Sequence, residues 1–190
     1  LCFWNNRKLQ KYYERVKKEQ FLHRVMLGEQ GEIAIPTVEF NLIFQLTHIF
    51  SHLMNEGIGL RQLLDYYYVI SMLSVNCEML TSLQKGLKDL GLLKFAGAIM
   101  YIMKEVFGMP ASRLIVPPNE KYGKFVLNEV LEAGNFGKHD ERYWFGKSKL
   151  GHNLQRVYRD MRLVRYFPAE ALCEPLFRIW HFFWRMKNKK

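Results

Sequence analysis

The 190-residue sequence predicts a mainly α protein, a helical bundle with one small β-hairpin on its N-terminal side. Three observations carry that prediction. Apolar residues recur at helical spacing in most long segments, as in Leu42, Leu46, Ile49 and Leu53. Glycines stand where such segments stop, at Gly57, Gly91 and Gly108, where a residue just past a helix end favours positive φ. One stretch, "LHRVMLGEQGEIAIP", instead alternates apolar and polar residues on either side of a Gly28 to Gly31 turn.

The elements follow in order. "NNRKLQKYYERVKKEQF" places Leu9, Tyr12, Tyr13 and Val16 at helical spacing, with Asn5 or Asn6 available as a cap. The hairpin comes next and ends at Pro36. A helix beginning at Thr37 runs to about Glu56 and stops at Gly57; Gly59 restarts the chain as a helix to about Ser74, so Gly57-Ile58-Gly59 joins two antiparallel helices. "CEMLTSLQKGLKDLG" and "LLKFAGAIMYIMKEVFG" give two more helices, and Pro110 bars continuation.

"RLIVPPNEKYG" reads as a loop, "KYGKFVLNEVLEAG" as a helix and "NFGKHDERYWFGKSK" as a second loop. In the next helix Leu150, Leu154, Val157, Met161 and Val164 form one apolar stripe, expected to face inward, while Arg156, Arg159, Arg162 and Arg165 cover much of the rest. Pro168 starts the last helix, whose Leu172, Leu176, Ile179, Trp180 and Phe183 are likewise expected inward; the "KNKK" tail is expected to fray. Residues 1–36 then form an N-terminal helix and hairpin packed on a bundle of residues 37–190, together one domain.

Composition bounds the function classes. With 49% hydrophobic and 15% aromatic residues and nine Met, the chain has ample material for a core. Cys2, Cys77 and Cys173 stand far apart with no CxxC, which signals neither a zinc site nor a disulfide framework and suits a cytoplasmic setting. No apolar run is long enough for a spanning helix, and no leader pattern is present. The chain opens on Leu1, which suggests a fragment of a longer polypeptide.

The net charge of +10 is uneven: residues 138–190 hold 13 Lys and Arg against 5 Asp and Glu, and residues 1–137 hold 15 against 13. A basic surface of this kind attracts phosphate, nucleic acid or anionic lipid, or is simply solvated. The Arg-rich helix with Tyr143, Trp144, Tyr158 and Tyr166 suits nucleic acid, though no recognised motif accompanies it. "PLFRIWHFFWRMKNKK" suits an anionic membrane surface, with core packing as the alternative.

The chemically richest segment is "VEFNLIFQLTHIFSHLMNEGIGLRQLLD". Asn41, Gln45, His48 and His52 make a polar ridge beside the apolar stripe, and Arg61 and Asp65 lie one turn apart just beyond the glycine bend. Arg presents a planar fork suited to phosphate or carboxylate, Asp can orient it, and His can donate, accept or ligate metal. The bend is expected to bring the four into one pocket; the plainer alternative is an ion pair between Arg61 and Asp65. Two His at i, i+4 without a third ligand or a glutamate between them make only a weak metal signal, and no metal ligands are assigned. GxGxxG, P-loop, GxSxG and HExxH motifs are missing, as is a Gly-Ser turn followed by paired carboxylates, so catalytic residues are not assigned.

"HIFSHLMNEGIGLRQLLDYYYVI" resembles the signature segment of a Bacteroidetes-type bacterial nucleotidyltransferase family, in which a helix with two His precedes a "GIGLRQ" turn and an Asp. "NNRKLQKYYERVKKEQ", "IAIPTVEFNLIFQL" and "FPAEALCEPLFRIWHFFWR" are similar to further stretches of that family's C-terminal half, so the likeness runs along nearly the whole chain. It implies an upstream nucleotidyltransferase core carrying the metal-binding carboxylates, with Mg and a nucleoside triphosphate as cofactors of the full-length protein and none held by this chain. It implies, too, a nucleotide or small acceptor substrate near His48, His52, Arg61 and Asp65, and an inactive isolated chain. The alternative reading is a non-catalytic binding module whose basic last third docks on nucleic acid, an anionic membrane surface or a partner protein.

Overall fold

A computed structural model of the chain describes residues 7–55, 57–73, 77–133 and 149–188. The fold is mainly α, with eight helices among the described residues and a two-stranded antiparallel hairpin near the N-terminus. The expected cap at Asn5 or Asn6, the helix end at Glu56, the loop 135–148 with Tyr143 and Trp144, Cys2 and the last two lysines lie outside the described residues. So do the side chains of Cys77, Leu150 and Arg156.

The centre is built from two helices that are apolar around most of their circumference, α2 (Val38–Asn55) and α5 (Leu93–Glu105). From α2, Leu42, Ile43, Leu46, Ile49, Phe50 and Leu53 are buried, and α5 adds Phe95, Ile99, Met100, Ile102 and Met103. A fully buried Leu or Ile side chain contributes about 2 kcal/mol. The rings of Phe50 and Phe95 stack with centroids 4.3 Å apart, and Phe167 meets both edge-on.

The helix α6 (Glu120–Ala133) crosses α5 at close range because glycine stands on each side of the contact. A Cβ on Gly123 would lie 2.4 Å from the Tyr101 ring, and one on Gly97 would lie 3.1 Å from Asn119. Asn119 starts α6: its side chain accepts from the Tyr122 N–H at 3.2 Å, and its own N–H donates to the Gly97 carbonyl at 2.9 Å. One turn of 3-10 helix at Ala111–Arg113 leads into the expected loop before α6, which buries Ile115 and Val116.

Gly57, with φ of 86°, ends α2 in the left-handed region, and its N–H reaches the His52 carbonyl at 2.7 Å. At the start of α3 (Leu60–Ser71), the Gln62 side chain accepts the Gly59 N–H at 3.0 Å. The helix α3 stops at Ser71 rather than near Ser74. There the Ser71 hydroxyl donates to the Tyr68 carbonyl at 2.9 Å, a local bond that competes with helix continuation. Helix α4 (Cys77–Asp89) completes this half with Leu83 and Leu87 buried.

Helix α1 (Arg7–Leu22) docks through Leu9, Tyr12 and Tyr13, with a 2.9 Å bond between the Tyr13 and Thr47 hydroxyls. Strands β1 (Arg24–Met26) and β2 (Glu32–Ala34) pair in the register Val25 to Ile33, and all six of their residues are exposed. The hairpin therefore adds little to the core.

The last two helices, α7 (Lys149–Val164) and α8 (Pro168–Lys187), pack against each other and depart from the sequence expectation. Their apolar stripes point outward. On α7, Leu154, Val157 and Met161 are exposed, and on α8 Leu172, Leu176, Ile179, Trp180 and Phe183 are 49 to 62% exposed. The polar side of α7 faces the body instead: Arg159 donates to the Asn55 carbonyl, and Arg162 to the buried carboxylate of Glu129. Buried Asp160 lies 3.7 Å from Arg178 of α8, and Leu163 and Phe167 supply the apolar anchors. Among the described residues no helix is long and apolar enough to cross a membrane.

Candidate functional site

The four residues singled out from the sequence fall into two pairs on α2 and α3. On α2 the i, i+4 spacing of Phe40, Phe44, His48 and His52 sets four rings on one side of the helix. Phe40 and Phe44 are near-parallel at 5.8 Å, Phe44 and His48 near-parallel at 6.2 Å, and His48 meets His52 edge-on at 4.4 Å. Tyr13 of α1 extends the row, edge-on to Phe40 at 5.8 Å. Beside it Gln45 donates to the Asn41 side chain at 2.9 Å, so the polar ridge and a ring ladder run together.

The ladder is open to solvent: Phe44 is 47% exposed, His48 is exposed and His52 is half-buried. The imidazoles meet Nε2 to Nε2 at 3.1 Å, one donating and the other accepting, so the bond persists only while at least one ring is neutral. The His48 pKa is held below the ordinary imidazole value, first by partial desolvation and then by the neighbouring His52.

On α3 the inward residues are Leu63, Tyr66 and Ile70, each fully buried, which leaves Arg61 and Asp65 on the solvent side. They lie one turn apart as expected. Among the described residues no ion pair joins them and no hydrogen bond or ion pair links either to an imidazole. Four-residue spacing along α2 thus brings His48 and His52 together as a bonded pair, while Arg61 and Asp65 lie beyond the bend on the exposed surface of α3.

The chemistry open to this surface is recognition. Flat rings offer stacking, an imidazole pair can donate or accept, and a free guanidinium can grip an anion. The donor set does not suit Mg²⁺, which prefers several oxygen ligands: Asp65 is the sole carboxylate of the four. Among the described residues no group of three or more His, Cys, Asp or Glu is placed to hold a metal ion. Sequence reading passed over Phe40 and Phe44, whose strict four-residue spacing with the two His was the available signal. Comparison with protein-family models, curated proteins and solved structures finds no match to the chain.

Proposed function

We propose that the chain is the helical part of a nucleotidyltransferase, which grips nucleotide or acceptor substrate while docked on a separate catalytic core. The observation that carries this reading is the outward turn of the α7 and α8 stripes. A helical body that leaves Leu154, Met161, Leu172, Leu176, Ile179 and Phe183 to water exposes large apolar side chains along both helices, the kind of surface that marks an interaction site. The ladder ending in His48 and His52, with Arg61 and Asp65 on the next helix, supplies the substrate-facing groups. The core supplies the Mg²⁺-binding carboxylates and the transfer chemistry.

The test joins the chain to a nucleotidyltransferase core and measures association, amide exchange along α7 and α8, and Mg²⁺-dependent transfer. The reading expects slowed exchange on both helices and transfer that requires both parts. Unchanged exchange and transfer by the core alone would remove it.

A second reading is favoured by one feature of α8. Trp180, Phe182, Phe183 and Trp184 are all exposed beside Arg185 and Lys187, the pattern of a helix lying in an anionic membrane surface. Salt-sensitive binding to anionic vesicles, with none to single-stranded nucleic acid, would support it.

A further inference from the structure

A cleft of about 770 Å³ lies where the start of α1, the α4–α5 turn and the start of α8 meet. Four cations line it: Arg7 and Lys8 from α1, Lys88 from the last turn of α4 and Lys94 from the first turn of α5. Glu170 is the one carboxylate among its lining residues. Among the described residues none of the four cations enters an ion pair; Lys94 rests over the Tyr122 ring at 5.9 Å. A second cleft, of about 450 Å³, shares Lys8 and Leu90 with the first and adds Lys11 and Arg15 against one carboxylate, Asp89, so the basic wall continues along α1.

We propose that this groove binds a polyphosphate chain, free or as part of a nucleotide. Four like charges around one cleft repel, and a compact polyanion turns that repulsion into attraction. Backbone adds to the charge. The first turns of α5 and α8 both line the cleft and neither has a side-chain cap; the leading N–H groups of α5, and those of α8 after Pro168, which has none, have no intrahelical acceptors. Lys94 sits at the positive end of α5, a placement the helix dipole disfavours and an anion would offset. The floor is made of the buried rings Phe50, Phe95 and Phe167, which keep the cleft open rather than grip a base. Room and charge together fit a di- or triphosphate. The site stands apart from His48, His52, Arg61 and Asp65 and does not depend on the reading of the chain as part of a nucleotidyltransferase.

The experiment is calorimetric titration of the whole chain at low salt with inorganic triphosphate, ATP and AMP, alongside the thermal midpoint. Triphosphate and ATP are expected to bind saturably and raise the midpoint, with AMP about tenfold weaker or worse. Equal affinities would assign a free polyphosphate as the natural occupant; tighter ATP would assign a nucleotide. Lys88→Glu with Lys94→Glu is expected to weaken triphosphate by at least about tenfold, while Lys17→Glu with Lys18→Glu, the same charge change on the exposed side of α1, alters it less than about twofold. Lys88→Gln with Lys94→Gln serves if the reversal disturbs folding, judged by circular dichroism. No triphosphate binding, equal loss in both double variants, or affinity only for single-stranded oligonucleotides that grows with their length would overturn the proposal.

Discussion

Arg162 of α7 donates to the carboxylate of Glu129 on α6, a residue that is 6% exposed in the folded chain. Burial pulls the guanidinium partly out of water and lowers its pKa, so the pair is held by mutual compensation. Removing one partner breaks a charge pair that is largely withdrawn from water. Arg162→Ala is expected to destabilise the protein by about 3 kcal/mol, and Arg162→Met combined with Glu129→Leu by clearly less, as read from urea melts. A double variant as damaged as the single one would show that the pair does not act as a unit.

The α5–α6 crossing depends on a missing side chain. A Cβ at position 123 would meet the Cβ, Cγ and Cδ1 atoms of Tyr101 at 2.4 to 2.5 Å, near the root of that side chain where it cannot swing clear. Alanine would gain about 1 kcal/mol of helix propensity, while overpacking costs about 1–3 kcal/mol and a backbone shift adds to it. Gly123→Ala should therefore lower the thermal midpoint by several degrees.

The imidazole pair gives stability a pH dependence whose sign is fixed. With the folded His48 pKa below the ordinary 6.5, the unfolded chain binds the proton more readily, so protonation favours unfolding. Stability contributed by the neutral ring is present above about 6.5, falls as the pH drops, and is fully lost below the depressed folded value. Denaturant melts between pH 8 and pH 5 should show this decline. In His48→Gln the part of the slope due to this residue should disappear.

Tyr66 is fully buried in α3, and its hydroxyl has no hydrogen-bond partner among the described residues; burial raises its pKa. An unsatisfied buried hydroxyl costs about 1–3 kcal/mol. Tyr66→Phe is accordingly expected to leave the fold intact and raise stability by about 1 kcal/mol, measured by urea melts.

Much of the architecture is legible in the sequence because its signals are local. Apolar spacing placed the helices, the alternation in "RVMLGEQGEIA" placed the hairpin, and Gly57, Gly91 and Gly108 take positive φ at the ends they mark. What the pattern could not supply was orientation. An amphipathic stripe says which side of α7 is apolar, not what that side meets, and long-range polar partners, Asn55 and Glu129, claim the opposite side.

The candidate site divides along the same line. Four-residue spacing on one helix foretold the His48–His52 contact. Where Arg61 and Asp65 point depends on how α3 rotates to bury Leu63, Tyr66 and Ile70, which is decided by packing against distant elements rather than by the bend.

The docking claim is tested most directly with Ile179→Glu combined with Phe183→Glu on the exposed side of α8. Both positions are more than half exposed, so the chain alone should keep its stability within about 0.5 kcal/mol. Joined to a nucleotidyltransferase core, the unaltered chain is expected to associate and support Mg²⁺-dependent transfer, and the double variant to lose both. Full association and transfer by the double variant, or its collapse as an isolated chain, would contradict the account.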